Sequence, residues 1–305
     1  MKHITEIVQD VKGRETKPLT AGLKFLDEIM GGLYPGEMTV ICGDTNCGKT
    51  TLMIRQIHKL AVDQMIPVLV VLCSMDEKTF LACMAAYYCN IITEDVWKAL
   101  TSEYCAADFK DYKTLLQESP IYIMEGREFD MQHPEKLYEF VVEKNIQAIF
   151  IEEFGLLYET DSDQKKTILF LKELAQGQKL AIVIEYRFWT NDRYPALSFR
   201  QFDSYDMVVF ADNIIGMVDC DNQNIQEDEK GQSMRGILEI KIMKHKGEWA
   251  RGKSIKFSRM LFLVRDPHRA TYVANDRQGF VLGPEISRLV KSEFDCELVD
   301  AFIPE

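Results

Sequence analysis

Between Met38 and Ile184 the chain repeats one alternation: a short apolar run, then a longer amphipathic stretch. The runs are Met38 to Cys42, Pro67 to Cys73, Ile121 to Met124, Ile146 to Ile151 and Leu180 to Ile184. Such nearly continuous apolar runs suit strands buried on both faces of a parallel sheet. The intervening stretches, roughly 51–64, 77–92, 95–118, 134–144 and 163–177, read as helices. Alternating strands and helices predict an α/β fold with a mostly parallel central sheet and a ligand at the carboxyl ends of its strands.

From about Asp206 the texture changes. Closely spaced strands at 207–211, 213–219, 236–244, 254–258 and 260–264 predict that antiparallel hairpins extend the sheet toward the C-terminus. Asp219 to Gln232, rich in Asp, Asn, Gln and Glu, reads as a mobile hairpin loop. At the other end Ile4, Ile7, Val8 and Val11 give a short helix with one apolar stripe, broken between Gly13 and Pro18. A helix this short is marginal alone, so its stripe should dock on its own domain or on a neighbouring subunit.

Composition adds limits. At 305 residues and 47% hydrophobic, the chain can bury a sizeable core as one large domain or two ordinary ones. No run approaches the roughly 18 apolar residues of a membrane span, and the first ten residues lack an apolar leader core, so a cytoplasmic location without membrane contact is expected. Eight cysteines, at 42, 47, 73, 83, 89, 105, 220 and 296, lie scattered without a C-x-x-C pair, as reduced thiols do. The five histidines show no metal-ligand spacing. A net charge of −12 argues against a uniformly basic nucleic-acid surface and leaves room for a basic channel confined to a few loops.

The strongest chemical signal is Gly43-Asp44-Thr45-Asn46-Cys47-Gly48-Lys49-Thr50, a match to G-x-x-x-x-G-K-[ST] set between the first strand and the helix that opens near Thr51. Backbone N–H groups of such a loop cradle phosphate oxygens, and the helix N-terminus adds its positive dipole end. Gly43 through Thr51 are therefore the expected nucleotide contacts, with Lys49 on the β- and γ-phosphates and Thr50 on Mg²⁺. Cys47 reads as a small residue tolerated at a variable position of the loop. A nucleotide hydrolase also needs a carboxylate for the metal shell and a base or water positioner. Glu152, at the end of Ile149-Phe150-Ile151, is the expected metal carboxylate, and Glu153 is the nearest candidate base. Glu185, after Ala181 to Ile184, reads equally as a γ-phosphate sensor and as a strand cap.

In this order the residues resemble the RecA-like ATPase domain of DnaB-type replicative hexameric helicases. The likeness runs from Ala21-Gly22-Leu23 and Leu26-Asp27, through Gly31-Gly32-Leu33 and Pro35-Gly36, to the phosphate loop. It continues with Ser74-Met75, Ile151-Glu152, Asp206 to Phe210 and Ile242-Met243-Lys244-His245-Lys246-Gly247, covering about residues 19–262. The resemblance implies residues 1–18 as a linker helix and connector that grips the next subunit, 19–265 as the ATPase domain and 266–305 as an extension. It also implies a hexamer with ATP and Mg²⁺ between subunits, single-stranded DNA through a central channel, and a primase or loader as possible partner. A basic finger reaching the neighbour's γ-phosphate falls on Lys244 and Lys246, the second of which is usually arginine in that family. DNA-facing loops fall after Glu153 and Glu185, with Lys165, Lys166, Arg187, Arg193 and Arg200 for the backbone and Phe188, Trp189 and Tyr194 for stacking.

One departure bears directly on turnover. Where the family places its catalytic glutamate, this chain has Ser74, and serine is no general base unaided at neutral pH. Either Glu153, Asp76 or Glu77 takes over, or turnover is slow. The leading expectation is an ATP-driven ring helicase or translocase in DNA replication. The alternatives are a slow or inactive ATP-binding switch or assembly protein, and a RecA-like ring ATPase of recombination or signalling.

Overall fold

The computed structural model describes residues 17–89, 96, 107–129, 134–158, 160–187, 205–227, 231 and 233–258. Its spine is one eight-stranded sheet in the order β3-β2-β4-β5-β1-β6-β7-β8. The strands are β1 (Met38–Gly43), β2 (Val68–Leu72), β3 (Ile121–Glu125), β4 (Ala148–Ile151), β5 (Ala181–Arg187), β6 (Asn213–Asp219), β7 (Ile237–His245) and β8 (Glu248–Ser258). Pairing is parallel from β3 across to β6, and antiparallel from β6 to β7 and from β7 to β8. The mostly parallel sheet with antiparallel strands toward the C-terminus is the architecture the apolar runs predict.

Helices cover both faces. On one side lie α1 (Lys24–Met30), α2 (Lys49–Ile57) with a π-helical turn over His58–Val62, α3 (Glu77–Cys89) and α4 (Ala107–Glu118). Leu26, Leu52, Ile57, Phe80 and Tyr112 from these elements pack against Ile41, Val70, Phe150 and Val183 of the sheet. On the other side lie α5 (Pro134–Glu143), α6 (Asp161–Gln178) and α7 (Tyr205–Phe210). Their Leu137, Ile168, Leu171 and Met207 meet Val40, Leu69, Ile149 and Ile184. Neighbours such as Val40 and Ile41 thus serve opposite cores, as the two-residue strand period requires. This is why β1 is buried at every position.

Three expectations are corrected. The run at 207–211 is not a strand: residues 205–210 form the short helix α7, placing Met207 and Val208 in the second core. An apolar run this short has no period that separates strand from helix. Glu185 does not end its strand, because β5 continues through Tyr186 to Arg187 in register with β1. The strand expected at 254–258 begins earlier, at Glu248, as the second arm of a hairpin. Its two-residue turn, Lys246-Gly247, has positive φ at both positions, the geometry that matches the twist of paired strands. The N-terminal helix, the strand at 260–264 and the tail from 266 lie outside the described residues.

Candidate functional site

The phosphate loop leaves β1 at the point where β5 and β6 flank it on either side. Gly43 is required there by close approach: a Cβ would stand 2.5 Å from both the Cys47 Sγ and the Met217 carbonyl oxygen. Gly48 takes φ 86°, a left-handed conformation that turns the chain into α2 at little steric cost. Lys49 opens that helix and is buried. Its ammonium donates to the Asp44 carbonyl at 2.9 Å and stands 3.9 Å from carboxylate oxygens of both Glu153 and Glu185.

Thr50 is held more firmly than the sequence foretells. Its hydroxyl donates to the Glu185 carboxylate, with Oε1 at 2.9 Å and Oε2 at 3.0 Å. Burial pushes the Glu185 carboxyl up to about 8, against the opposing pull of Lys49 and the Thr50 hydrogen bond, while Glu153 and Glu152 push the same way as burial. Glu153 sits at φ 43°, an uncommon left-handed conformation for a residue with a side chain, and is 23% exposed beside Lys49. Backbone strain of this kind is characteristic of functional turns.

Glu152 is buried, and its oxygens are turned to the end of β2. Oε2 accepts the amides of Cys73 at 2.9 Å and Ser74 at 2.7 Å, and Oε1 accepts the Ser74 hydroxyl. Asp76 is occupied as the cap of α3: its carboxylate accepts the Thr79 amide at 2.7 Å, and that bond holds its pKa below the ordinary range. Glu77 lies exposed in the first turn of α3. Of the candidate bases, Glu153 is the one that the fold brings beside Lys49.

The two lysines of the late hairpin separate. Lys244 is buried and donates to the carbonyls of Val208, Val209 and Ala211 at 2.9, 3.1 and 2.6 Å, closing the C-terminus of α7. Burial lowers its pKa. The Lys244 ammonium is thus engaged with carbonyls of its own subunit. Lys246 is exposed, with its ammonium 4.3 Å from the centre of the Tyr34 ring. Lys165 pairs with Asp206 at 3.3 Å and Lys166 with Asp163 at 3.4 Å, both near the surface. Arg187 ends β5 opposite Gly43. Phe188, Trp189, Arg193, Tyr194 and Arg200 lie outside the described residues.

Cys47 is 2% exposed, and burial pushes its thiol up to about 12, so it carries no reactive thiolate. One contact had no local signal in the sequence: Gln223, in the β6–β7 connection, donates to the Asp44 carboxylate at 2.9 Å. That connection is anchored elsewhere as well. Asp219 accepts the amides of Asp221 and Asn222, and Asp221 accepts that of Gly236. The described part of the expected mobile loop is thus pinned by its own carboxylates.

The donor set around Thr50 is all oxygen, the kind a hard cation such as Mg²⁺ prefers. Among the described residues no three acidic, His or Cys side chains converge on a single metal position. The Lys49 ammonium between two carboxylates shows that the site accepts positive charge.

The model of the DnaB-like helicase C terminal domain matches residues 18–247. Among solved structures, a separately determined ATPase domain superposes with a TM-score of 0.64 at 16% identity, covering 84% of this chain and 93% of that one. A DnaB-like replicative helicase, studied with its interactions with primase, superposes with a TM-score of 0.63 at 16% identity, covering 83% of this chain and 62% of that one. The DNA repair protein RadA of Mycobacterium tuberculosis is 34% identical over 55 residues, which span only 18% of this chain and 12% of RadA. No described helix is long and apolar enough to cross a membrane. With the phosphate loop, the sheet order and the matched span in agreement, the chain belongs to the DnaB-like helicase C-terminal domain family.

Proposed function

We propose that the chain hydrolyses ATP as a ring-forming helicase or translocase on single-stranded DNA in replication. The observation that carries the reading is the Lys49-Thr50 pair at the head of α2, Lys49 buried and Thr50 half-buried beside the carboxylates of Glu153 and Glu185 at the carboxyl end of β1 and β5. The loop from Gly43 to Thr51 cradles the phosphates, and Lys49 leaves the Asp44 carbonyl to meet them. Glu153 takes the proton of, or orients, the attacking water. Thr50 and the surrounding carboxylates would hold Mg²⁺, which when bound would offset the charge that develops during phosphoryl transfer. Lys246 is the cation left for a neighbouring subunit's nucleotide.

Hexamer assembly, DNA in a central channel, a primase or loader as partner and a cytoplasmic setting belong to the same proposal. So do a linker role for residues 1–18 and an extension over 266–305.

A second reading, a nucleotide switch that binds ATP but turns it over slowly, is favoured by one observation. Ser74, at the position of the family's glutamate, is a partner of Glu152 and not a base. ATPase rate with and without single-stranded DNA, measured alongside mass by light scattering, separates the two. DNA-stimulated hydrolysis by a ring supports the motor. ATP-dependent assembly with no stimulation supports the switch.

A further inference from the structure

We infer that Tyr34 is a positioning residue for hydrolysis in a neighbouring copy of this chain, the face of its ring holding the Lys246 ammonium in place to meet that copy's nucleotide. The inference rests on the role proposed for Lys246 and adds the residue that aims it.

The turn that carries Lys246 stands at the far end of the sheet from the phosphate loop. β6 runs parallel to β1 with Asn213 beside Thr39, and β7 returns antiparallel with Lys244 beside Ile214. Lys246 therefore projects near the amino end of β1, whereas the phosphate loop leaves the carboxyl end. Six residues of strand at about 3.3 Å each put roughly 20 Å between the two. No lysine side chain spans that gap, so the nucleotide that Lys246 can reach belongs to a second copy.

The backbone of the turn is fixed from within its own subunit. Asn213 is fully buried, and its Oδ1 accepts the Lys246 amide at 3.1 Å and meets the His245 Nδ1 at 2.9 Å. Its Nδ2 donates to the Glu37 carboxylate at 2.9 Å, and the Gly247 amide donates to the Asp212 carbonyl at 2.9 Å. What is left to order is the exposed side chain of Lys246.

Tyr34 orders it. The ammonium stands 4.3 Å from the ring centre, inside the roughly 6 Å range of a cation–π contact. A carboxylate in that place would neutralise the cation and take up its N–H groups. An aromatic face attracts the charge and leaves the ammonium donors available to phosphate oxygens.

The segment before β1 seats the ring. Leu33 exchanges both backbone hydrogen bonds with Leu19, at 2.7 and 2.8 Å, and the Glu37 amide closes a turn onto the Tyr34 carbonyl at 3.0 Å across Pro35 and Gly36. A Cβ on Gly31 would stand 2.6 Å from the Tyr34 hydroxyl oxygen, so glycine there lets the phenol lie against the backbone. The Gly31-Gly32-Leu33 and Pro35-Gly36 pattern thus has a physical task, which is to hold an aromatic ring against the turn that carries Lys246.

The test is steady-state ATP hydrolysis by the full chain with single-stranded DNA present, alongside affinity for a fluorescent ATP analogue and mass by light scattering. Tyr34→Leu should lower kcat about two- to fivefold, the weight of an exposed cation–π contact, with KM for ATP, analogue affinity and mass unchanged. Tyr34→Phe keeps the ring face and should keep the unmutated kcat. The inference is overturned if Tyr34→Leu keeps full kcat, if Tyr34→Phe falls as far as Tyr34→Leu, or if the loss comes with lower mass or weaker analogue binding. Should Tyr34→Leu fail to fold, Tyr34→Met carries the same test, and an undiminished kcat overturns the assignment. Lys246→Ala separates the two readings. Loss of turnover there with none in Tyr34→Leu overturns the inference alone, whereas unmutated turnover in Lys246→Ala removes the role of Lys246 and the inference with it.

Discussion

Gln223 donates its side-chain amide to the Asp44 carboxylate at 2.9 Å, joining the β6–β7 connection to the phosphate loop across 179 positions of sequence. The carbonyl oxygen of the same Asp44 accepts the Lys49 ammonium. Asp44 is therefore held at its side chain by a remote strand connection and at its backbone by the Lys49 ammonium.

Removing the remote hold should loosen the loop. A partly exposed hydrogen bond to a carboxylate is worth about 1 kcal/mol, so Gln223→Ala should speed nucleotide release roughly fivefold, with little change in fold. Stopped-flow displacement of a fluorescent nucleotide measures this. An unchanged release rate would show that the contact carries no free energy.

Ser74→Ala tests the clasp between β2 and β4. It deletes the hydroxyl bonded to Glu152 and leaves the two amide bonds in place. A hydrogen bond to a charged group contributes about 1.5–3 kcal/mol, and chemical denaturation should show a loss in that range. A stability equal to that of the unmutated chain would mean that the two amides satisfy Glu152 alone.

Lys244 should behave as a structural residue. Lys244→Met keeps most of the packing but leaves the carbonyls at the end of α7 without their ammonium, which should cost about 2–4 kcal/mol. The pH dependence follows from its lowered pKa. Between the folded value and the ordinary lysine value the unfolded chain binds more protons, so Lys244 adds to stability as pH rises through that window. The difference in unfolding free energy between the unmutated chain and Lys244→Met should therefore widen on going from neutral to alkaline pH. A variant of undiminished stability would return Lys244 to the surface.

Cys47 should resist alkylation. With the thiol buried and its pKa pushed up to about 12, iodoacetamide at pH 8 should leave it unmodified in the native protein and modify it readily in urea. Peptide mass spectrometry after each treatment checks this. Rapid native labelling would mean that the loop opens.

The features legible in the sequence are those whose signal is local. Val68 to Leu72 is apolar at every position because both faces of β2 are buried, and no partner need be known to see it. The phosphate loop is legible for the same reason, since its glycines and Lys49 answer to steric and charge demands within eight residues. Residues 205–210 mislead because a short apolar run suits a brief helix against a core as well as a strand, and the group that decides, Lys244, comes from another strand. Glu152 is visible as a strand-end acid, but its commitment to Ser74 depends on which strand lies beside β4. The contact of Glu185 with Thr50 is hidden for the same reason. Its meaning appears only when β5 is seen to neighbour β1.

The register of β5 on β1 also fixes where the two ends of the phosphate loop meet their neighbour. Arg187 lies opposite Gly43, and Glu185 lies opposite Ile41 on the same strand. At about 3.3 Å per residue, Glu185 and Arg187 are separated by roughly 7 Å of extended chain. Arg187 opposite Gly43 and Glu185 bonded to Thr50 therefore tie the end of β5 to the two ends of the phosphate loop.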